Sequence, residues 1–201
     1  MIIRFLVDSS GSMSGEPLRK VHKMLVDFIK LLHEKNMQEK EVFIQMLSYN
    51  IKTTELINGE LYKVWTHSDG INLEMGYKEY RTPYFNDIGC GPKNIGCALK
   101  RFNEYMTVAD LLVIFTKGTP SDVLEFNSQI NRTKKYNKKI IIFHGNINKI
   151  GLLSTLTDNI FSWDVFDADT LFSTLQDCVH NRQKMPVPPK VIELCNIKSM
   201  R

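Results

Sequence analysis

The sequence predicts an α/β protein with a doubly wound, mostly parallel open sheet and helices on both faces. Three observations predict it. Short apolar runs alternate with longer stretches whose apolar residues recur at three- and four-residue steps. That alternation implies crossover units and parallel strands. The runs at 2–7 and 111–115 are apolar almost throughout, as strands buried on both faces are. And 201 residues, 43% hydrophobic and 24% charged, suit one domain with a full core.

Ile2, Ile3, Phe5, Leu6 and Val7 form the first predicted strand, interrupted by Arg4. Asp8-Ser9-Ser10-Gly11-Ser12 ends it. Pro17 stands where a first-turn proline belongs, and Glu16 suits a helix N-terminus. Leu18, Val21, Leu25, Phe28 and Leu32, widened by Met24, Ile29 and Leu31, put one apolar face on a helix over 17–34. Residues 42–49 read as the second strand, with 51–57 a short strand hairpinned to it. From 58 to 92 the periodicity fails, apart from a short helix or strand at 61–65. This stretch reads as an insertion or long loops, whose aromatics (Tyr62, Trp65, Tyr77, Tyr80, Tyr84, Phe85) anchor it to the body or, as the alternative, form a binding surface.

Asn94, a good N-cap residue, starts a helix with Ile95, Ala98, Leu99, Phe102 and Met106 on one face. The strand at 111–115 follows, closed by Thr116-Lys117-Gly118-Thr119-Pro120. Ser121 and Asp122 open a helix with Val123, Phe126 and Ile130 inward. A strand at 140–143, a short helix or irregular piece at 147–156 and an edge strand over 160–166 come next. Leu171, Leu175 and Cys178 or Val179 mark a last helix over 168–181. Met185-Pro186-Val187-Pro188-Pro189 is extended and reads as a strap or spacer, and 191–197 fits a short added strand. The expected domain therefore spans 1–181, with 182–201 a C-terminal extension.

Several functions are excluded or demoted. The formal net charge of +4 allows an acidic partner without demanding nucleic acid. No apolar run approaches the roughly 20 residues of a membrane span, and the first residues lack the features of a signal peptide. Cys90, Cys97, Cys178 and Cys195 form no C-x-x-C pair, so a zinc ribbon or redox pair is not expected. Free thiols in a reducing cytoplasm are. His22, His33, His67, His144 and His180 show no metal-site spacing. Gly89-x-Gly91 with Gly96 lacks dinucleotide-binding spacing. Ser10 and Ser12 lack the strained elbow of a hydrolase, so no catalytic residue is assigned. The basic run Arg132-Thr133-Lys134-Lys135-Tyr136-Asn137-Lys138-Lys139 could meet nucleic acid phosphates. Solvated cations at a helix C-terminus are the first reading.

Asp8, Ser10 and Ser12 place a carboxylate and two hydroxyls within five residues at a strand's carboxyl end. Ligands bind at such ends in open α/β sheets, and hard oxygen ligands suit a divalent cation such as Mg2+. Leu6-Val7-Asp8-Ser9-Ser10-Gly11-Ser12-Met13 resembles the opening of a von Willebrand factor A (VWA) domain. The D-x-S-x-S motif of that family begins a metal-ion-dependent adhesion site. Ser14-Gly15-Glu16-Pro17-Leu18 resembles most the bacterial branch associated with tellurium resistance. Gly89-Cys90-Gly91-Pro92-Lys93-Asn94-Ile95-Gly96-Cys97-Ala98-Leu99 resembles the family's G-G-T-x-L-G-x-A-L block. Leu111 through Asp122 resembles its strand ending in T-D-G-x-P-x-D. The resemblance covers about 1–181 and implies a Rossmann-like three-layer sandwich that binds other proteins. In the family, an acidic side chain from the partner completes metal coordination.

The same resemblance assigns a threonine from the second block and an aspartate from the third to the metal. Those positions hold Lys93 and Lys117. An ammonium has donors and no acceptor, so it cannot coordinate a cation. Asp8 contributes −1 and the two lysines +2, which leaves +1 before any metal is added. Two like charges about 4 Å from a divalent ion repel it by several kcal/mol at an effective dielectric of about 20. The expectation is therefore a degenerate site with no cofactor, Lys93 and Lys117 arguing against Mg2+. Any ion that did bind would use Asp8, Ser10 and Ser12. An ammonium, that of Lys117 first, is expected to bridge Asp8 and the two serine hydroxyls; the alternative has both lysines turned to solvent. The functional reading is a non-enzymatic, bacterial-like, cytoplasmic module that uses Asp8, Ser10, Ser12, Lys93 and Lys117 to meet a protein partner presenting an acidic side chain. The alternatives are a nucleic-acid-associated protein using 132–139 and a non-catalytic subunit organising a partner enzyme.

Overall fold

The computed structural model describes residues 2–35, 42–49, 53–55, 62–63, 92–105 and 109–184. Five strands run parallel: β1 (Ile2–Asp8), β2 (Phe43–Tyr49), β5 (Leu111–Thr116), β6 (Lys138–Phe143) and β7 (Ile160–Ser162). Two short strands, β3 (Thr53–Glu55) and β4 (Tyr62–Lys63), pair antiparallel with β2. The order is β3-β2-β1-β5-β6-β7, with β4 also on β2. The chain leaves β1 for β2 on one side and returns to β5 on the other. The strand order therefore reverses between β1 and β5, which makes their carboxyl ends the switch point of the sheet.

Helices α1 (Glu16–Glu34) and α4 (Ala168–Lys184) cover one face, and α2 (Ile95–Glu104) and α3 (Val123–Ile130) the other. Strand alternation assigns the side chains. Ile3, Phe5 and Val7 of β1, with Val113 and Phe115 of β5, pack on Leu25 and Phe28 of α1 and Leu171 and Leu175 of α4. Leu6, Leu112 and Ile114 pack on Leu99 and Phe102 of α2 and Phe126 of α3. The predicted three-layer α/β class is the one observed.

Arg4 does not interrupt β1. Its side chain lies on the α2 face, fully buried. Nε donates to Gln45 Oε1 (2.7 Å), and Nη1 donates to the Tyr136 hydroxyl (3.0 Å) and the Phe102 carbonyl (3.3 Å). The guanidinium also stands 5.3–5.6 Å from the ring centroids of Phe102, Tyr105 and Tyr136. Burial is tolerated because Nε and Nη1 meet acceptors and three aromatic rings lie against the guanidinium.

Some boundaries and orientations differ from expectation. The edge strand stops at Ser162 and does not reach 166. Trp163 N–H makes the last ladder bond, to Phe143 O (3.0 Å). A turn then closes with Val165 N–H on Ser162 O (3.3 Å), and Phe166 tucks back onto Phe161, ring centroids 5.0 Å apart. Val123, predicted inward, is 39% exposed, because Phe126 and not the first turn of α3 faces the sheet. The last helix continues past 181 to Lys184. The short strands β3 and β4 fall inside 51–57 and 61–65. The aromatics Trp65, Tyr77, Tyr80, Tyr84 and Phe85, and the segment 185–201, lie outside the described residues, as do Met106, Cys90 and Cys195.

Candidate functional site

β1 ends at Asp8, whose carboxylate is fully buried. Oδ1 accepts the Ser10 N–H (2.8 Å). Oδ2 accepts the Thr116 hydroxyl (3.2 Å) and the Lys117 N–H (3.3 Å) from the end of the neighbouring strand β5. Asp8 thus ties the two loops at the switch point together. Ser9 turns the other way: its N–H and its hydroxyl both bond Tyr49 O, at 2.9 and 3.1 Å. Ser10 and Ser12 bring their hydroxyl oxygens within 3.0 Å of each other. Ser10 is buried and Ser12 exposed, and the fully buried Met13 anchors the 3₁₀ turn between them and α1.

Tyr49 lies beneath this cluster with its hydroxyl donating to Phe115 O (3.2 Å). Burial, and then the nearby Asp8 charge, push its pKa well above the ordinary phenol value. It stays neutral and serves as a hydrogen-bonded floor.

The loops before α2 and after β5 form one unit. Lys93 N–H donates to Ser121 Oγ (2.9 Å), and Ser121 N–H donates to Lys93 O (2.9 Å). Asp122 accepts the Gly96 N–H (3.1 Å) and the Cys97 N–H (2.7 Å), so the N-terminus of α2 is capped from the neighbouring loop. Asn94, predicted as cap, makes no side-chain cap bond. Gly96 permits this closeness: a Cβ there would overlap the backbone of Glu125 and Phe126. The Lys93 stem crosses Gly118, its Cε, Cδ and Nζ lying 3.1–3.3 Å from where a Cβ on Gly118 would sit. The Cys97 thiol is pushed up by partial desolvation and by Asp122, the opposite of an activated nucleophile.

All five predicted residues therefore come from the strand carboxyl ends. Asp8, Ser10 and Ser12 belong to one loop, Lys93 to a second and Lys117 to a third. The expected bridge from the Lys117 ammonium to Asp8 is corrected. Lys117 reaches Asp8 through its backbone N–H, while its side chain is exposed. No ammonium of a described residue lies within ion-pair distance of Asp8. The hydrogen bonds already on both carboxylate oxygens account for this: the anion is satisfied without a side-chain cation.

Residues of the same edge that the sequence reading passed over are Asp122, Ser121, His144 and Trp163. His144 follows β6, and its N–H donates to Thr116 O (2.8 Å). Its ring is 5.4 Å from that of Trp163, which also has the Lys20 ammonium 5.8 Å from its centroid. Position directly after the predicted strand at 140–143 was the available signal for His144; Trp163 lay inside the predicted strand at 160–166 and had none. The basic run at 132–139 lies at the opposite, amino end of the sheet. Its Tyr136 is buried under Arg4 and so cannot stack on a base, and Lys138 pairs with Asp177 (3.7 Å).

The von Willebrand factor type A domain model matches residues 3–159. With the switch-point site in place on a doubly wound sheet, this shows that the chain belongs to the von Willebrand factor type A domain family. Solved structures agree on the fold. A von Willebrand factor type A protein from Catenulispora acidiphila matches at TM-score 0.62 and 12% identity, over 88% of this chain and 41% of that one. The pilus adhesin SpaC from Lactobacillus rhamnosus GG matches at TM-score 0.63 and 11% identity, over 90% and 30%. BatB, a conserved hypothetical protein from Bacteroides thetaiotaomicron, matches at TM-score 0.54 and 11% identity, over 92% and 100%. The chain thus spans less than half the length of the first two. No curated protein matches. No helix among the described residues is long and apolar enough to cross a membrane.

Proposed function

We propose that this chain is a non-enzymatic protein-recognition module of the VWA family that binds an acidic side chain of its partner directly on lysine, without a divalent cation. The observation behind the reading is the identity of the residues flanking Asp8, Ser10 and Ser12. Lys93 lies over Gly118 on one side, and the Lys117 ammonium projects to solvent on the other. The oxygen donors are one carboxylate and two hydroxyls, and the carboxylate already accepts three protein hydrogen bonds. The two loops that would complete a cation's shell offer ammonium groups, which donate only. Because Lys117 is exposed, its repulsion of a cation is screened, and the missing acceptors weigh more than the charge. An ammonium meeting a partner's carboxylate in a desolvated contact supplies the charge-assisted bond that a metal would otherwise supply.

A degenerate adhesion site, a bacterial and tellurium-resistance-like character and a cytoplasmic location are parts of the same proposal. The Cys97 thiol, in no disulfide, supports the last. The names of two similar structures, a pilus adhesin and a minor pilin from Streptococcus sanguinis, fit a protein-binding role at the level of fold.

Titration calorimetry with Mg2+ and Mn2+ tests the metal half. The wild-type chain is expected to give no binding heat, and Lys93→Thr with Lys117→Asp is expected to create it. Wild-type binding that Asp8→Ala abolishes sinks the proposal. For the partner half, a protein recovered by affinity capture is titrated against wild type and Lys117→Glu. A loss of about tenfold is expected, and an unchanged affinity would move recognition off this face.

A further inference from the structure

Gly118 follows Lys117 in the loop after β5, and its backbone is held. Its N–H donates to Thr116 Oγ (3.3 Å), and its carbonyl accepts the Thr116 hydroxyl (3.0 Å). One residue on, Thr119 Cγ2 lies 3.0 Å from where a Cβ on Gly151 would sit. Nothing in this backbone calls for a glycine. The described glycines with positive φ are Gly15, Gly145 and Gly151, so the φ at 118 is one that residues with a side chain adopt. Gly96 is different, because a Cβ there would strike the backbone of Phe126. At Gly118 the nearest atoms a Cβ would meet belong to a side chain: Lys93 Cε, Cδ and Nζ, at 3.1, 3.2 and 3.3 Å. The missing Cβ is therefore a seat for the Lys93 stem. The backbone of Lys93 is fixed too, since its N–H and its carbonyl both bond Ser121. Lys93 is half-buried, and its ammonium has no hydrogen bond or ion pair with a described residue. The acids next along the chain from Gly118 are engaged elsewhere. Asp122 accepts the Gly96 and Cys97 N–H groups, and Glu125 Oε1 accepts Gln129 Nε2 (2.8 Å).

We propose that Gly118 is a positioning residue for recognition: by lacking a Cβ it seats the Lys93 stem, and the seated ammonium grips a carboxylate of the partner. This rests on the recognition reading above and divides its work between the two lysines. A lysine already held along its stem has less rotamer freedom to lose on binding. Half-buried, its charge is also screened less than one in open water. Lys93 thus acts at short range and slows dissociation. Lys117, exposed on the loop that carries Gly118, acts at longer range and speeds association.

Two measurements on the full chain test this, and the first needs no partner. Carbon-13 relaxation at the lysine Cε groups is expected to give Lys93 a higher order parameter than Lys117. Gly118→Ala is expected to lower the Lys93 value toward that of Lys117. Equal values in wild type, or a Lys93 value that Gly118→Ala leaves unchanged, overturns the proposal. The second measurement follows binding of the protein captured on the wild-type chain to wild type, Gly118→Ala, Lys93→Met and the double variant. An added Cβ displaces only a side chain, so the thermal midpoint of Gly118→Ala should hold and report that it folds. Gly118→Ala and Lys93→Met are each expected to raise the dissociation rate at least about threefold, with association within about twofold of wild type. Because Gly118 acts through Lys93, the double variant is expected to dissociate no faster than Lys93→Met alone. A glycine that served only the loop would weaken binding equally in both backgrounds, and that additivity overturns the proposal. If Lys117→Glu weakens binding while Gly118→Ala and Lys93→Met leave dissociation unchanged, the positioning role falls and the recognition reading stands. If neither lysine affects binding, both fall.

Discussion

The two ends of the sheet both concentrate charge, and they use it differently. At the amino end, Arg4 of β1 is fully buried and tied to Gln45, Phe102 and Tyr136. Close by, Asp110 accepts the Ile2 N–H (2.9 Å) and Asn137 Nδ2 (3.0 Å), clamping the start of β1 to the loops around it. At the carboxyl end, Asp8 of the same strand is equally buried and equally satisfied, but the cations beside it are not drawn in. Lys117 is exposed, and Lys93 is half-buried, lying over Gly118. The amino end consumes its charges in holding the fold. The carboxyl end keeps two anions, Asp8 and Asp122, for the fold and leaves the Lys93 and Lys117 ammonium groups with no ion pair to a described residue. Cations that the fold does not use are the ones available to a partner.

The sharpest way to break this contrast is Arg4→Ala. It removes a buried group and takes one hydrogen-bond donor each from the Gln45 side-chain oxygen, the Tyr136 hydroxyl and the Phe102 carbonyl. A loss of about 3–5 kcal/mol is expected in urea unfolding, the cost of leaving buried polar partners unmet and a cavity behind. Asp8→Ala should cost less, about 2–3 kcal/mol, because the Thr116 hydroxyl can still donate to Gly118 O (3.0 Å) and the Lys117 N–H is in a partly buried bond where water can replace the carboxylate. Equal costs at the two ends would mean that the carboxyl end is as closed as the amino end.

Much of this architecture is legible in the sequence because periodicity reports burial. The unbroken apolar run at 111–115 reads as a central strand, and the spacing from Leu18 to Leu32 as one face of a helix, and both are observed. The D-x-S-x-S stretch was also visible, since Asp8 comes directly after the apolar run. Periodicity says nothing about which polar group finds which partner. Arg4 read as a blemish because the three groups that receive it come from β2, α2 and the turn before β6, distant in the chain. Tyr136 read as an aromatic within a basic run for the same reason. Lys117 was expected to reach Asp8 with its ammonium because residue type suggests side-chain chemistry. The backbone N–H of the same residue was closer, and a backbone donor needs no particular residue type. Val123 failed as an inward residue because the first turn of a helix projects beyond the sheet edge.

Asp122→Ala probes the joint between the two lysine-bearing loops. It removes both acceptors from the first turn of α2, and a loss of about 1–2 kcal/mol is expected. Amide hydrogen exchange should rise at Gly96 and Cys97 while the amino end of the sheet keeps its protection. A uniform rise would show that the carboxyl-edge loops and the core open together.

Asp167 gives a smaller effect with a defined sign. Its Oδ1 accepts the Thr170 hydroxyl (2.6 Å) and the Thr170 N–H (2.8 Å), capping α4. These two bonds hold its carboxyl below the ordinary carboxylate pKa. A depressed folded-state value means that the contribution is present above the unfolded value, about 3.9, and is lost as pH falls through the folded one. The stability gap between wild type and Asp167→Ala should be under about 1 kcal/mol at neutral pH, since the group is exposed. It should close in acid. A gap that widens as pH falls would reverse the assignment.

The smallest effect on stability belongs to the residue given the largest role in recognition. Lys117→Ala leaves the backbone N–H on Asp8 in place and removes a side chain that is exposed and has no ion pair with a described residue. Unfolding free energy should change by no more than about 0.5 kcal/mol. The same substitution should weaken whatever binds at the carboxyl end, an effect that grows at low salt and fades at high salt as the Debye length shortens. Arg4, on β1, and Lys117, directly after the adjacent β5, then stand as opposite cases: one cation whose removal costs much of the stability, and one whose removal only binding detects. A stability loss at Lys117 comparable with that at Arg4 would show that its ammonium is committed to the fold. The distinction between the two ends of the sheet would then collapse.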